Sequence, residues 1–213
     1  MSDNTPDRPA PRGPRLSRRG FLKGSGLATA GVVAAQAGLA QAAPPEAAPD
    51  VAGAEATALT LDINGRKTRV LARADEVLVD TLRDRLGMTG TKLVCGRGAC
   101  SACTVLVDGE PQCSCLTLTH ELDDAEITTI EGLAEDTEEG LVLTPVQEAF
   151  VEEDASMCGY CTPGMVLSCT ALLNRNPDPT LHEVKAAVRG NLCRCGTYPH
   201  VFKAALCAAE KMG

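Results

Sequence analysis

Eleven cysteines in 213 residues constrain this chain more than any other feature. Eight of them form two groups of four, and three of the first group crowd into the nine residues from Cys95 to Cys103. An odd total excludes a framework made of disulfides alone. The two groups also lie in segments of different periodicity, so two domains are expected.

The first segment begins with Leu59-Thr-Leu-Asp-Ile, whose alternation predicts a strand. Asn64-Gly65 predicts a hairpin with Thr68 to Leu71 returning, and Asp108-Gly109 a second hairpin after Thr104-Val-Leu-Val. Asp75 through Leu86 predicts a short helix capped by Asp75 and stopped by Gly87, and Ile127 to Ile130 another strand. The expectation is an α+β domain over 59–133, a small mixed sheet crossed by one helix. Cys95-x4-Cys100-x2-Cys103, followed by Cys115, has the plant-type spacing for a [2Fe–2S] cluster. Gly96 and Gly98 let the loop backbone approach sulfur closely. Cys115 is expected on the strand after the Asp108-Gly109 turn. Cys113, two residues earlier, shares its face there and is a substitute ligand. Zinc and disulfides compete for this set. Zinc hooks are usually Cys-x2-Cys pairs, and bridges inside so short a loop would constrain little.

After Glu131 to Glu139, read as a solvated acidic loop with a linker over 134–143, four helices are expected over 144–213. Thr144-Pro145 opens the first, through Ala155. Thr162-Pro163 opens the second, through Leu173. Thr180 caps the third, through Arg189, and Pro199 starts the last. Cys158-x2-Cys161 and Cys193-x-Cys195 fall in the two connections that an antiparallel bundle brings to one end. By spacing alone, a zinc ion held by four thiolates remains a competitor of a cluster here. Cys169 and Cys207, inside apolar helical runs, are expected to be buried.

The N-terminus is of another kind. Residues 1–42 carry six Lys/Arg and two Asp/Glu, net +4, which leaves −8 − 4 = −12 for the remainder. So acidic a body argues against nucleic acid as a partner. Ser17-Arg-Arg-Gly-Phe-Leu-Lys23, a Gly/Ala-rich stretch and Ala40-Gln-Ala42 resemble a twin-arginine export signal over 1–42, ahead of a linker over 43–58. That resemblance implies the twin-arginine machinery as a partner and a periplasmic location.

The chain from about 59 to 210 resembles the iron–sulfur subunit of the xanthine dehydrogenase and molybdenum hydroxylase family. The strings that carry the likeness are Cys95-Gly-Arg-Gly-Ala-Cys-Ser-Ala-Cys-Thr-Val, Ser114-Cys-Leu-Thr-Leu, Cys158-Gly-Tyr-Cys-Thr-Pro-Gly-Met and Gly190-Asn-Leu-Cys-Arg-Cys-Gly. With the export signal, the exported aldehyde oxidoreductase members are the most similar. The resemblance implies a β-grasp ferredoxin-like domain, then a four-helix bundle, with one [2Fe–2S] cluster in each. Cys95, Cys100, Cys103 and Cys115 would hold one cluster, and Cys158, Cys161, Cys193 and Cys195 the other. It implies an electron-transfer subunit of a molybdenum-dependent oxidoreductase, aldehyde to carboxylate, with no substrate conversion by this chain alone. A large subunit would carry the molybdopterin cofactor, and an FAD subunit or a cytochrome would accept electrons. A free-standing two-cluster carrier and an isoquinoline-type hydroxylase subunit are the alternatives. Three features depart from the family pattern: Met157 where Gln is common, Ser101 where Gly is common, and Gly196-Thr197-Tyr198 where Thr-Gly commonly follows the last cysteine. No catalytic residue is expected, and His120, His182 and His200 are isolated.

Overall fold

A computed structural model describes residues 55–213 of the chain. The expected export signal over 1–42, and most of the linker over 43–58, lie outside these residues. The hairpin of β1 (Thr57–Ile63) and β2 (Arg66–Ala72) turns at Asn64-Gly65, both with positive φ, as the two-residue turn requires. A second hairpin joins β3 (Thr104–Val107) and β4 (Glu110–Cys113) through Asp108-Gly109. With β5 (Glu126–Thr128), the order is β2-β1-β5-β3-β4, and β1 and β5 run parallel. This is the β-grasp sheet. Its core joins Leu61, Ile63, Val70, Val105 and Ile127 to Leu78 and Leu82 of the crossing helix.

That helix, α1, starts three residues later than expected. It covers Leu78–Asp80 and continues as a π-helical stretch over Thr81–Arg85. Asp75 caps nothing, because Arg73 takes its carboxylate at 3.0 and 2.8 Å. Glu76 ties the start of the helix to its end, accepting from Thr81 Oγ1 at 2.7 Å and from Arg85 at 2.6 and 2.5 Å. Arg85 outweighs the opposing effect of burial and holds the Glu76 carboxyl at about 2. A depressed carboxyl stabilises the fold above its ordinary value and stops doing so as pH falls through the folded value. Glu76→Gln is therefore expected to cost about 2 kcal/mol at pH 7, the worth of a charged hydrogen-bond pair. The difference should narrow as pH falls from 4.5 toward 2. Denaturant midpoints across that range would check it.

The acidic stretch is exposed, as expected, but it is not irregular. After a 3-10 turn (Ile130–Gly132), β6 (Glu135–Thr137) and β7 (Gly140–Val142) form a hairpin closed by Thr137 Oγ1 donating to Gly140 O at 2.7 Å. Four α-helices follow: α2 (Pro145–Glu152), α3 (Thr162–Arg175), α4 (Leu181–Ala187) and α5 (Tyr198–Met212). Thr144 with Gln147, and Thr180 with Glu183, form complete capping boxes. α2 ends before Ala155, the expected limit, and Asp154 turns the chain there at φ 52°. Phe150, Met165, Val166, Leu173, Val184 and Val201 fill the helical core, where Ala204, Ala205 and Ala208 let α5 pack closely. Cys169 is buried in that core; Cys207, expected to be buried, is only half-buried and points at Glu152. Among the described residues no helix is long and apolar enough to cross a membrane.

The sheet and the helices share a seam. Leu106 of β3 packs on Leu167 and Ala171 of α3, and Arg175 of α3 pairs with Glu110 of β4. This brings the start of α3 against the loop that precedes β3.

Candidate metal centres

Between α1 and β3 the chain makes a tight loop carrying Cys95, Cys100 and Cys103. Gly96, Gly98 and Ser101 all have positive φ there. At Gly98 a Cβ would come within 2.4 Å of Leu116 Cδ1, so the backbone itself lies against its neighbour. The loop turns its N–H groups inward. Those of Arg97 first, then Ala99 and Cys100, face the Cys95 sulfur and, with the Cys100 side chain, lower that thiol to about 6. The Gly98 N–H donates to Cys115 Sγ at 3.3 Å. Such a nest of N–H groups stabilises negative sulfur.

Cys115 does not sit on the strand where the sequence put it. β4 ends at Cys113, and Cys115 follows in a turn in which Leu116 N–H donates to Cys113 O at 2.9 Å. Alternation therefore fails to put Cys113 and Cys115 on one face. Cys115 turns inward to Cys103, both nearly fully buried against Val79, and burial drives the Cys103 thiol up to about 12. Cys113 is half-buried at the edge of this group, with its sulfur 3.7 Å from Ser101 Oγ.

The second set meets between the helices. Cys161 stands at the N-terminal cap of α3, and Cys158 lies three residues before it. Cys193 and Cys195 occupy the α4–α5 connection. The Cys158 thiol is lowered by the Tyr160 N–H and then by Cys195, whose own thiol is raised in return. Cys161 pairs with Cys193, and burial, the leading cause, pushes Cys161 up to about 12. For Cys193, burial acts upward, but the Thr197 hydroxyl and N–H, the Cys161 side chain and the Gly196 N–H bring it to about 7. A cavity of about 440 Å³ opens beside Cys158, Cys161 and Cys193, with Tyr160, Leu192 and Tyr198 in its wall and Cys100 of the first loop at its edge.

In both sets the thiols act on one another, most strongly in twos: Cys95 with Cys100, Cys103 with Cys115, Cys158 with Cys195, Cys161 with Cys193. Among the described residues no three His, Cys, Asp or Glu side chains converge on one ion. None of the eleven cysteines is joined in a disulfide. Pairs of thiols suit a two-iron cluster, in which each iron takes two cysteine sulfurs and shares two sulfides, better than one tetrahedral zinc.

The two loops are also tied to each other. Leu192 N–H donates to Cys100 O at 3.0 Å, and Asn191 Nδ2 donates to Ser101 O at 3.1 Å. Ser168 Oγ holds the other end of the Asn191 amide at 3.0 Å. Ser101 O also takes Thr104 Oγ1 at 2.7 Å, which helps hold Ser101 in its left-handed conformation. Asn191, Ser168 and Gly164 escaped the sequence reading as site residues. Ser168 and Gly164 lie in an apolar helical run and Asn191 in the α4–α5 connection, and nothing local to any of them signals the other two. His120 and His200 hydrogen-bond to the carbonyls of Ala72 and Glu153, away from either set.

Comparison with known proteins agrees with this layout. Residues 61–134 match the family model described as 2Fe-2S iron-sulfur cluster binding domain, and residues 129–206 match the [2Fe-2S] binding domain. The small FeS subunit of nicotinate dehydrogenase from Eubacterium barkeri is 41% identical over 153 residues, 72% of this chain and 95% of that protein. The chain belongs to the iron–sulfur subunits of the molybdenum hydroxylases. The PaoA iron-sulfur-binding subunit of aldehyde oxidoreductase from Escherichia coli K12 is 39% identical over 165 residues, 70% of each chain. A solved structure of quinoline 2-oxidoreductase from Pseudomonas putida 86 superposes with a TM-score of 0.69 at 37% identity, covering 73% of this chain and 95% of that one. As a subunit of this family, the chain holds two [2Fe–2S] clusters, one in each half, and serves electron transfer.

Proposed function

We propose that this subunit works in an exported molybdenum hydroxylase, with Cys95, Cys100, Cys103 and Cys115 holding one cluster and Cys158, Cys161, Cys193 and Cys195 the other. The observation that carries the reading is the gathering of Cys103 with Cys115 in one half and of Cys158, Cys161 and Cys193 around one cavity in the other, with the two loops joined by the Leu192–Cys100 hydrogen bond. When bound, the clusters supply one-electron redox chemistry; the protein supplies position, charge and exclusion of water. The N–H nest around Cys95 and the start of α3 at Cys161 offset negative charge on sulfur. Burial of Cys103 and Cys115 keeps water from one side of the first site.

Val94, Met157, Tyr160 and Leu192 stand exposed around the second set, Met157 at 69%. An apolar rim of this kind beside a redox site fits coverage by a large partner subunit. We assign that partner the molybdopterin cofactor, and an FAD subunit or a cytochrome the role of acceptor. The basic first 42 residues, with Arg18-Arg19, support export by the twin-arginine pathway to the periplasm. Likeness to the aldehyde oxidoreductase subunit supports an aldehyde as substrate.

Low-temperature EPR of the dithionite-reduced chain, with iron and labile sulfide counted on one sample, tests the reading. Two S = 1/2 signals with about four irons and four sulfides per chain are expected. A single signal with about two irons overturns the second site. The tagged chain, expressed in its host, should bring down a larger molybdenum-containing subunit from the periplasmic fraction; recovery alone would make it a free carrier instead.

A further inference from the structure

The four ligand thiols of the second set are not equally served by the protein. Cys193 is clasped twice by the residues that open α5. The Tyr198 hydroxyl accepts the Cys193 N–H at 2.9 Å and donates to Asn191 O at 3.1 Å, which fixes the backbone of the loop. The Thr197 hydroxyl lies 3.1 Å from Cys193 Sγ. Gly196, at φ +80°, turns the chain back so that Thr197 faces the sulfur four residues behind it. Thr197 is 3% exposed, so water has little access to its hydroxyl. Its carbonyl takes the N–H groups of His200 and Val201, both at 3.0 Å, and this anchors the residue to the helix.

A buried hydroxyl has one proton to give, and leaving it unmade is costly. Between a hydroxyl and a neutral thiol either atom can donate. Once Cys193 is a metal-bound thiolate it has no proton, and the hydroxyl alone can donate. That hydrogen bond strengthens as negative charge on the sulfur grows. Reduction adds that charge, so the donor favours the reduced form and raises the potential.

We propose that Thr197 is a positioning residue that raises the reduction potential of the helical-half cluster by donating its hydroxyl proton to Cys193 Sγ. The proposal rests on the assignment of Cys193 as a ligand. It is separate from the pairing of the thiols themselves, because Thr197 touches sulfur without ligating iron.

The test is an EPR-monitored redox titration of the cluster-loaded chain and of Thr197→Val, Thr197→Ala and Thr197→Ser. The Val and Ala variants are expected to lower the midpoint of one cluster by about a tenfold change in its equilibrium, which is 59 mV for one electron. Thr197→Ser, which keeps the hydroxyl, should stay near the original value, and the other cluster should not move. Unmoved midpoints in both Val and Ala overturn the proposal. So does a shift in Ser as large as that in Ala, which would assign the effect to lost packing. Cys193→Ala separates the two readings: if it leaves both signals and the iron content intact, Cys193 is no ligand, and the assignment beneath the proposal fails.

Discussion

Cys193→Ala is expected to halve the iron of the purified subunit, from about four to about two per chain, and to leave the EPR signal of the ferredoxin-like half alone. Cys158→Ala should do the same, whereas Cys103→Ala and Cys115→Ala should leave only the other signal. Every one of these changes should abolish substrate-driven reduction of the acceptor in the assembled enzyme, because a relay fails when either station is missing. The reciprocity follows from the pairing. Cys103 meets Cys115 within one half and Cys161 meets Cys193 within the other, so no thiol of one set substitutes for the other. Cys115→Ala carries the sharpest contrast. Its sulfur takes the Gly98 N–H and faces Cys103, while Cys113 lies at the margin beside Ser101. Retention of about four irons in Cys115→Ala would transfer the ligand role to Cys113.

Gly164→Ala should destabilise the subunit by about 2–3 kcal/mol, although alanine is the better helix former by about 1 kcal/mol. Gly164 lies in the first turn of α3, where a Cβ would stand 2.5 Å from Ser101 O and 3.2 Å from Asn191 Nδ2. The obstacle at 2.5 Å is backbone, held by Thr104 and Asn191, and cannot swing aside. Relief requires α3 to back away from the first loop, which pulls Ser168 and, through it, Asn191 from Ser101 O. Denaturant unfolding of wild type and variant gives the cost. A neutral or stabilising result would mean that the seam yields freely and does not fix the separation of the two centres.

Much of the local structure was legible because its causes are local. Asn64-Gly65 and Asp108-Gly109 adopt positive φ at turns that need it. Thr180 caps α4 within four residues of chain, with Glu183 completing the box. The cysteine spacings reflect loops short enough for one backbone nest to surround a sulfur. Errors arose where a distant or competing partner decided the outcome. Asp75 looked like a helix cap, but Arg73 claims it, and the Glu76–Arg85 pair governs where α1 sits. The acidic stretch looked featureless because charge marks exposure, and exposure alone does not distinguish a loop from a two-stranded hairpin. Strand alternation carried to Cys115 failed because β4 stops at Cys113 and the chain turns.

By itself, then, the sequence determined the two cysteine sets and the order of the halves, since ligand type and short-range spacing are written along the chain, and the likeness of its motifs to a family pointed to the kind of cofactor. Only the tertiary structure decided the rest. Which thiol pairs with which depends on connections that cross from one helix pair to another. The closeness of the two centres depends on Gly164, Ser101, Asn191 and Leu192, and the Asn191–Ser101 bond of that seam joins residues 90 positions apart. Contacts at that range are fixed by how the sheet and helices pack, and no periodicity or local propensity encodes them.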